Sequence, residues 1–338
     1  MEALLVAELP TGPEWQYEPK WDGFRCLAFR DGDRVELVSK AGKPLTRYFP
    51  DVVEVMQKVG APRFVLDGEI VVPVDDTLSF DDLLLRIHPA KSRVDKLSRE
   101  TPASFIAFDL LVDARGRSLV AKTLAERREA LDAFARSAFT GVPRIYLSPA
   151  ATSMTDVRRW LRSVGGGLDG IIAKRVDVPY RSGDRTGMQK VKNMRTAECV
   201  VGGFRYASKG GVVGSLLLGL YDGGGLLHHV GFTSNIKAAE KPALTHRLET
   251  LVKPPGFTGQ APGGPSRWST ERSAEWKPLR TELVVEVQYD HFSGGRFRHG
   301  TSFLRWRPDK SPRQCTITQV EQEGRSALKL LRSSGSSR

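Results

Sequence analysis

The sequence holds little cysteine and none of the common phosphate-binding loops. Only three cysteines occur in 338 residues, Cys26, Cys199 and Cys315. They are far apart and form no Cys-x-x-Cys pair, which excludes a zinc ribbon and a disulfide framework. There is no Gly-x-x-x-x-Gly-Lys-Ser/Thr loop and no Gly-x-Gly-x-x-Gly fingerprint, so any nucleotide bound here is held by neither a P-loop nor a Rossmann turn. The six histidines are scattered, and the adjacent pair His228-His229 decorates a strand more readily than it holds a metal. No apolar run approaches membrane-spanning length, so no membrane partner is expected. The first nine residues lack a basic n-region and a cleavage signature. A reducing cytoplasm is the expected location.

Cationic charge is abundant instead. Fifty-one Lys and Arg stand against 39 Asp and Glu, a net charge of +12. A surplus of that size favours a polyanionic partner, nucleic acid first. The hydrophobic content of 40% supports real cores, and the length allows two domains.

The first half mixes strand and helix signals. Residues 24–30 and 34–39 flank Asp31-Gly32-Asp33 and read as a hairpin. Residues 64–72, 104–112 and 170–176 read as strands. Residues 124–139 have helical periodicity, with Leu124, Leu131, Phe134 and Ala135 on one face. A short helix is expected over 155–164, with Thr155 as its cap. Beyond about residue 195 the segments become short and strand-like, at 199–204, 215–221, 226–232, 283–289 and 301–306. Glycine clusters separate them, and one helix is expected near 237–251. That pattern suggests a small Greek-key barrel, with an OB-fold as the natural candidate. The Ser-rich end, 333–338, reads as a mobile tail.

Six segments carry chemistry. Lys20-Trp21-Asp22-Gly23-Phe24-Arg25 clusters a nitrogen nucleophile, a carboxylate and a fixed cation around a glycine. Asp67 and Glu69 are two apart and share a strand face, where burial without partners is costly. Solvent exposure explains them equally well in isolation. Phe108 precedes Asp109 in an apolar strand, and core packing is the simpler account of Phe108 alone. Asp169-Gly170 opens a strand that Lys174-Arg175 closes, and Asp169 can hold a divalent metal or simply form a turn. Lys190 and Lys192 alternate onto one face and repel unless an anion lies between them. Arg307-Pro308-Asp309-Lys310 is a second dense cationic knot.

Taken together and in order, these segments resemble the motif set of the covalent nucleotidyltransferases, specifically the ATP-dependent DNA ligases. Lys-x-Asp-Gly-x-Arg falls at Lys20–Arg25, Asp-Gly-Glu at Asp67–Glu69 and Phe-Asp at Phe108-Asp109. The acid-Gly-aliphatic-Lys motif falls at Asp169–Lys174, Lys-x-Lys at Lys190–Lys192 and Arg-x-Asp-Lys at Arg307–Lys310. The resemblance covers nearly the whole chain, and the compact size is similar to the bacterial LigC type. It implies an α+β protein of two domains. Residues 1–194 would be a nucleotidyltransferase domain of mixed and antiparallel sheets with helices, and 195–332 an OB-fold β-barrel.

The activity implied is sealing of 3′-hydroxyl/5′-phosphate nicks in duplex DNA through a lysyl-AMP intermediate, for DNA repair. ATP and Mg²⁺ or Mn²⁺ are the implied cofactors. The partner is nicked duplex DNA, and the protein would act as a monomer in the bacterial cytoplasm, at the nucleoid when on DNA. By resemblance Lys20 is the nucleophile, Asp22 orients it or a metal, and Arg25 meets ribose and, with Lys40, the 5′-phosphate of the nick. Glu18, Glu69, Lys190, Lys192, Arg307 and Lys310 would contact ATP, with Phe108 and Ile172 sandwiching the adenine from neighbouring strands. Asp22, Asp67 and Asp169 would serve the metal. Lys190, Lys192 and the metal are expected to lower the Lys20 pKa.

Two departures stand out. The family usually has Glu where this chain has Asp169, and arginine where it has Lys40. Lysine keeps the charge but loses the bidentate fork suited to phosphate. RNA ligases and GTP-using RNA capping guanylyltransferases share the Lys-x-Asp-Gly motif and remain alternatives. A non-catalytic OB-fold binder would leave Lys20, Lys190 and Lys192 without purpose.

Overall fold

The structure is a computed structural model. It describes every residue except 76, 166, 210, 264–274, 322–326 and 334–338, and the side chains of 332 and 333 are likewise outside the description. All but the first residue of the expected tail thus lies outside the described residues. The chain divides into two compact units, one of Met1–Asn193 with Glu323–Arg338 and the other of Met194–Gln322.

The first unit contains two main sheets. One is four-stranded, in the order β1 (Leu4–Leu5), β11 (Met188–Lys192), β10 (Gly170–Arg175), β2 (Trp15–Pro19). The other is five-stranded: β4 (Arg34–Ser39), β3 (Phe24–Asp31), β5 (Arg63–Val71), β8 (Ser104–Val112), β9 (Ile145–Leu147). A small hairpin, β6 (Pro73–Val74) with β7 (Thr77–Leu78), follows β5. The β3–β4 hairpin turns where Asp31-Gly32-Asp33 indicates, and β8 has the bounds its apolar run gave.

Helix α1 (Pro50–Lys58) buries Val52, Val55 and Met56 in the core of the five-stranded sheet, with Phe64, Leu66 and Ile70 of β5. Each such burial stabilises by ~2 kcal/mol. Two shorter helices follow, α2 (Phe80–Leu85) and α3 (Lys91–Glu100). Helix α4 (Leu124–Ala138) starts at a capping box, Thr123 with Glu126, and presents Leu124, Leu131, Phe134 and Ala135 inward as its periodicity indicates. Helix α5 spans Met154–Val164, and its cap is Ser153, whose hydroxyl accepts the Asp156 N–H, in place of the expected Thr155.

The four-stranded sheet has its own core, built from Tyr17, Val157, Val164, Ile171 and Ala173. Ala327, Leu330 and Leu331 belong to that core. The C-terminal helix Lys329–Ser333 therefore packs with the first unit, although its sequence position placed it with the second domain.

The second unit is a sheet in the order β14 (Leu227–Thr233), β13 (Val213–Tyr221), β12 (Arg195–Tyr206), β16 (Val284–Tyr289), β19 (Ser302–Trp306), with β15 (Lys277–Pro278) paired to β12. A two-stranded ribbon, β17 (Phe292–Ser293) with β18 (Arg296–Phe297), helix α6 (Lys241–Glu249) and a short helix Thr318–Glu321 also belong to it. Among the described residues no ladder closes the expected barrel. Among the described residues β14 and β19 approach through the isolated bridge Thr233–Thr301.

Candidate active site

The two sheets of the first unit each bring one wall. On the four-stranded sheet the register places Glu18 beside Ile172, and Ile172 beside Lys190, with Gly170 beside Lys192. Side chains directly opposite on neighbouring strands share a face. Glu18, Ile172, Lys190 and Lys192 therefore share one face, and Lys174, two residues on from Ile172, joins it. Lys20 follows β2 directly, anchored by its N–H to the Gly170 carbonyl at 2.9 Å. Gly170 has φ +154°, and a Cβ there would lie 2.1 Å from the Val191 carbonyl oxygen. Only glycine lets β11 approach β10 this closely beside Lys20. Gly23 plays the same part on the other wall, where a Cβ would lie 2.3 Å from the Ile70 carbonyl oxygen.

The five-stranded sheet supplies Arg25 from β3, Asp67 and Glu69 from β5, and Phe108 from β8. Arg25 stands opposite Glu69 in the β3–β5 ladder. The Lys174 ammonium lies 4.5 Å from the Phe108 ring centroid and the Arg25 guanidinium carbon 5.7 Å from it. Phe108 is partly exposed while its neighbours on β8 are buried, which marks it as a wall residue in preference to a core one. Phe108 and Ile172 come from different sheets, correcting the expectation of neighbouring strands: a sandwich between them joins two walls.

At the centre Lys20 donates to Asp169, both side chains largely shielded from solvent. Burial works to lower the Lys20 pKa, but Asp169, then Glu69 and Asp22, outweigh it and raise the ammonium above its ordinary value. The lowering expected from Lys190, Lys192 and the metal together is opposed, within the protein itself, by three carboxylates acting on the same nitrogen. The lowering falls on Lys190, through burial first and then the fields of Lys20, Lys192 and Lys40. Lys40 thus belongs electrostatically to the site, while its ammonium pairs with Glu2 at 3.1 Å.

Asp67 does not behave as a metal ligand. It is fully buried, accepts from Arg25 at 3.1 and 2.7 Å, and accepts from the Tyr180 hydroxyl at 2.8 Å. Asp22, Asp67 and Asp169 do not form one donor set; among the described residues no group of three or more His, Cys, Asp or Glu could hold a metal ion. Asp169 and Asp22 fit a different kind of site. Mg²⁺ is commonly bound by one or two carboxylates and completed by substrate phosphates and water.

Glu69 is a strongly perturbed carboxyl. Burial pushes it up to about 8, against the opposing pull of Lys20 and Arg25. A carboxyl raised on folding loses stability as pH rises from its unfolded value towards 8. Glu69→Gln is therefore expected to raise the melting temperature at pH 8.5 and to change little near pH 4.5. Thermal unfolding at the two pH values checks this; equal shifts at both would contradict it.

The partners that hold several site residues, Gln16, Arg127 and Tyr180, have no signal in the motifs. Glu18 binds Lys174 at 2.7 Å and Gln16 at 2.8 Å in a buried cluster. Asp109 is held by Arg127 at 2.9 and 3.0 Å, both side chains buried. Arg127 could have been found: it lies three residues after Leu124 and four before Leu131, an arginine on a core face. Tyr180 lies in a turn region with no pattern to mark it. Arg307 and Lys310 belong to the second unit, where both bind Glu198.

Comparison with known proteins identifies the family. The model of the ATP dependent DNA ligase domain matches residues 6–192, and that of the ATP dependent DNA ligase C terminal region matches 209–310. The chain is 45% identical over 341 residues to DNA ligase C2 of Mycolicibacterium smegmatis, covering 95% of this chain and 93% of that protein. It is 44% identical over 340 residues to DNA ligase C of Mycobacterium tuberculosis, with the same coverage. A solved Lig E DNA ligase structure shares the fold, with TM-score 0.53 and 18% identity over 91% of this chain and all of that one.

Proposed function

This chain belongs to the ATP-dependent DNA ligase family, and we propose that Lys20 is the residue that carries AMP in its reaction. It is a ligase of the compact LigC kind, using ATP to join strands at nicks in duplex DNA. The observation that carries the assignment of Lys20 is its pairing with Asp169 on a wall that also presents Ile172, Lys190 and Lys192.

Lys20 Nζ attacks the α-phosphorus of ATP. A P–N bond forms, the P–O bond to pyrophosphate breaks, and pyrophosphate leaves. The amine must first lose a proton. At an ordinary pKa only about 0.04% of a lysine is neutral at pH 7, and here the ammonium is held higher still. Asp169, accepting from Nζ, orients the amine at the α-phosphorus. Lys190 and Lys192 stabilise charge on the α-phosphoryl oxygens, and Arg307 and Lys310 charge on the departing pyrophosphate. Phe108 and Ile172 hold the adenine, Glu18 lies on the same wall, and Glu69 accepts from a ribose hydroxyl. A Mg²⁺ held by Asp169 and Asp22 would supply further charge neutralisation at the phosphates.

In the second step a 5′-phosphate oxygen at the nick attacks the lysyl-AMP phosphorus and releases Lys20. In the third, the 3′-hydroxyl attacks the 5′-phosphorus, its proton leaves, and AMP departs. Arg25 and Lys40 orient the 5′-phosphate; Asp67 and Tyr180 position Arg25. The junction at residues 193–196 is the hinge that lets the second unit exchange between nucleotide and DNA. The enzyme works as a monomer in bacterial DNA repair.

The test uses singly nicked duplexes with either ATP or GTP labelled at the α-phosphate. Lysine labelling and sealing are expected with ATP on nicked DNA. Label transfer from GTP alone, or sealing confined to a nicked RNA strand, would favour capping or RNA ligation instead.

A further inference from the structure

We propose that Glu198 is an internal stand-in for phosphate, neutralising Arg307 and Lys310 until the pyrophosphate part of ATP displaces it. The proposal rests on the reading that these two cations serve pyrophosphate.

Glu198 lies on β12 and uses both carboxylate oxygens. Oε1 accepts from Arg307 Nη1, and Oε2 lies 2.6 Å from Lys310 Nζ. Its backbone is fixed from both sides by Gln319: the Glu198 N–H donates to Oε1 at 2.8 Å, and Nε2 donates to the Glu198 carbonyl at 3.0 Å. Glu198 also stands directly opposite Glu286 on β16. Like charges directly opposite one another are destabilising, and the cations against the pair offset that repulsion. Arg305 takes Glu286 at 2.6 Å.

The contacts divide the work between two acids. Asp309 holds the Nε and Nη2 edge of Arg307, at 2.9 and 2.7 Å, and so orients it. Glu198 is the acid shared by Arg307 and Lys310. A single anionic group bridging two cations does what a pair of phosphate oxygens would do there. Both cations are partly exposed, so an incoming phosphate can compete for them. Three acids, Glu198, Glu286 and Asp309, balance three cations, Arg305, Arg307 and Lys310. An added phosphate is therefore favoured only when Glu198 releases its share.

The test is single-turnover lysyl-AMP formation by the full chain across a range of ATP concentrations. Glu198→Gln keeps the shape and the Gln319 contacts but removes the competing charge. Its apparent KM for ATP is expected to fall about five- to tenfold, while sealing of a pre-adenylated nick, which involves no pyrophosphate, stays as in the parent. An unchanged or higher KM would overturn the proposal. Glu198→Asp keeps the charge on a side chain too short to span both cations, and a smaller fall in KM is expected. A KM at or above the parent's for that variant would also overturn it. Arg307→Ala separates the two levels. If it leaves adenylation unchanged, the pyrophosphate reading itself fails. If it impairs adenylation while Glu198→Gln leaves KM unmoved, only the present proposal falls.

Discussion

Lys20→Ala is expected to abolish ATP-dependent sealing while leaving the protein able to close a nick that already carries AMP. The first step needs a nitrogen nucleophile within reach of the α-phosphorus, and alanine offers none. The third step joins a 3′-hydroxyl to an activated phosphate and does not use the lysine as a nucleophile. Loss of a covalent step of this kind costs on the order of 10⁴-fold or more in rate. Folding should survive, because the ammonium is a desolvated group whose removal also relieves burial cost, although Asp169 then loses its partner. Two assays in parallel decide it, one on a plain nick with ATP and one on a pre-adenylated nick without ATP. Equal loss in both would mean a collapsed site. Retained ATP-dependent sealing would remove Lys20 from the mechanism.

Asp67→Asn is expected to be strongly damaging to the first unit. Asp67 is fully buried and satisfies Arg25 through both oxygens, with Tyr180 as a third donor. Asparagine keeps the volume but removes the charge and turns one acceptor into a donor. Arg25 would be left shielded from solvent with the Met1 carbonyl and an amide in place of a carboxylate. Breaking a buried pair from one side costs about 3–5 kcal/mol. A loss of that size lowers the melting temperature of the first unit and loosens the guanidinium meant for the nick. Replacing Arg25 as well should cost less than the sum of the two changes, since the orphaned charge is gone. Thermal unfolding of the two single variants and the double variant measures this. A change under about 0.5 kcal/mol for Asp67→Asn would place it with ordinary surface substitutions and contradict the assigned role.

Much of the fold was legible because its signals are local. The β3–β4 hairpin, β8 and α4 follow from turn chemistry, an apolar run and a 3.6 period, none of which needs the rest of the chain. What failed was set by tertiary partners. The helix Lys329–Ser333 carries no mark saying which core takes Leu330 and Leu331. Ser153 and Thr155 are both suitable caps, and only the path of the chain into α5 selects the first. The two-domain plan with an OB-fold-like second unit was legible; how β14 and β19 meet at its seam is not encoded in strand patterns.

The site divides the same way. Five of the six motifs located Lys20, Arg25, Glu69, Phe108, Ile172, Lys190 and Lys192 in one unit, and the sixth lies in the second unit. The partners of those residues were not legible. Asp67 looked like a metal carboxylate because spacing cannot reveal Arg25 and Tyr180 around it. Lys20 looked like a lysine depressed by cations because the sequence does not show that Asp169, Glu69 and Asp22 act on it together. Glu198 had no motif at all, yet it holds both cations of the last one.

The most direct test of the central claim is to locate the AMP. The protein is incubated with ATP and a divalent cation, digested under mildly alkaline conditions that preserve a phosphoramidate, and its peptides are sequenced by mass spectrometry. AMP on Lys20, and no adduct in Lys20→Ala, is the expected result. AMP on Lys190 or Lys192, or an adduct that persists in Lys20→Ala, would contradict it.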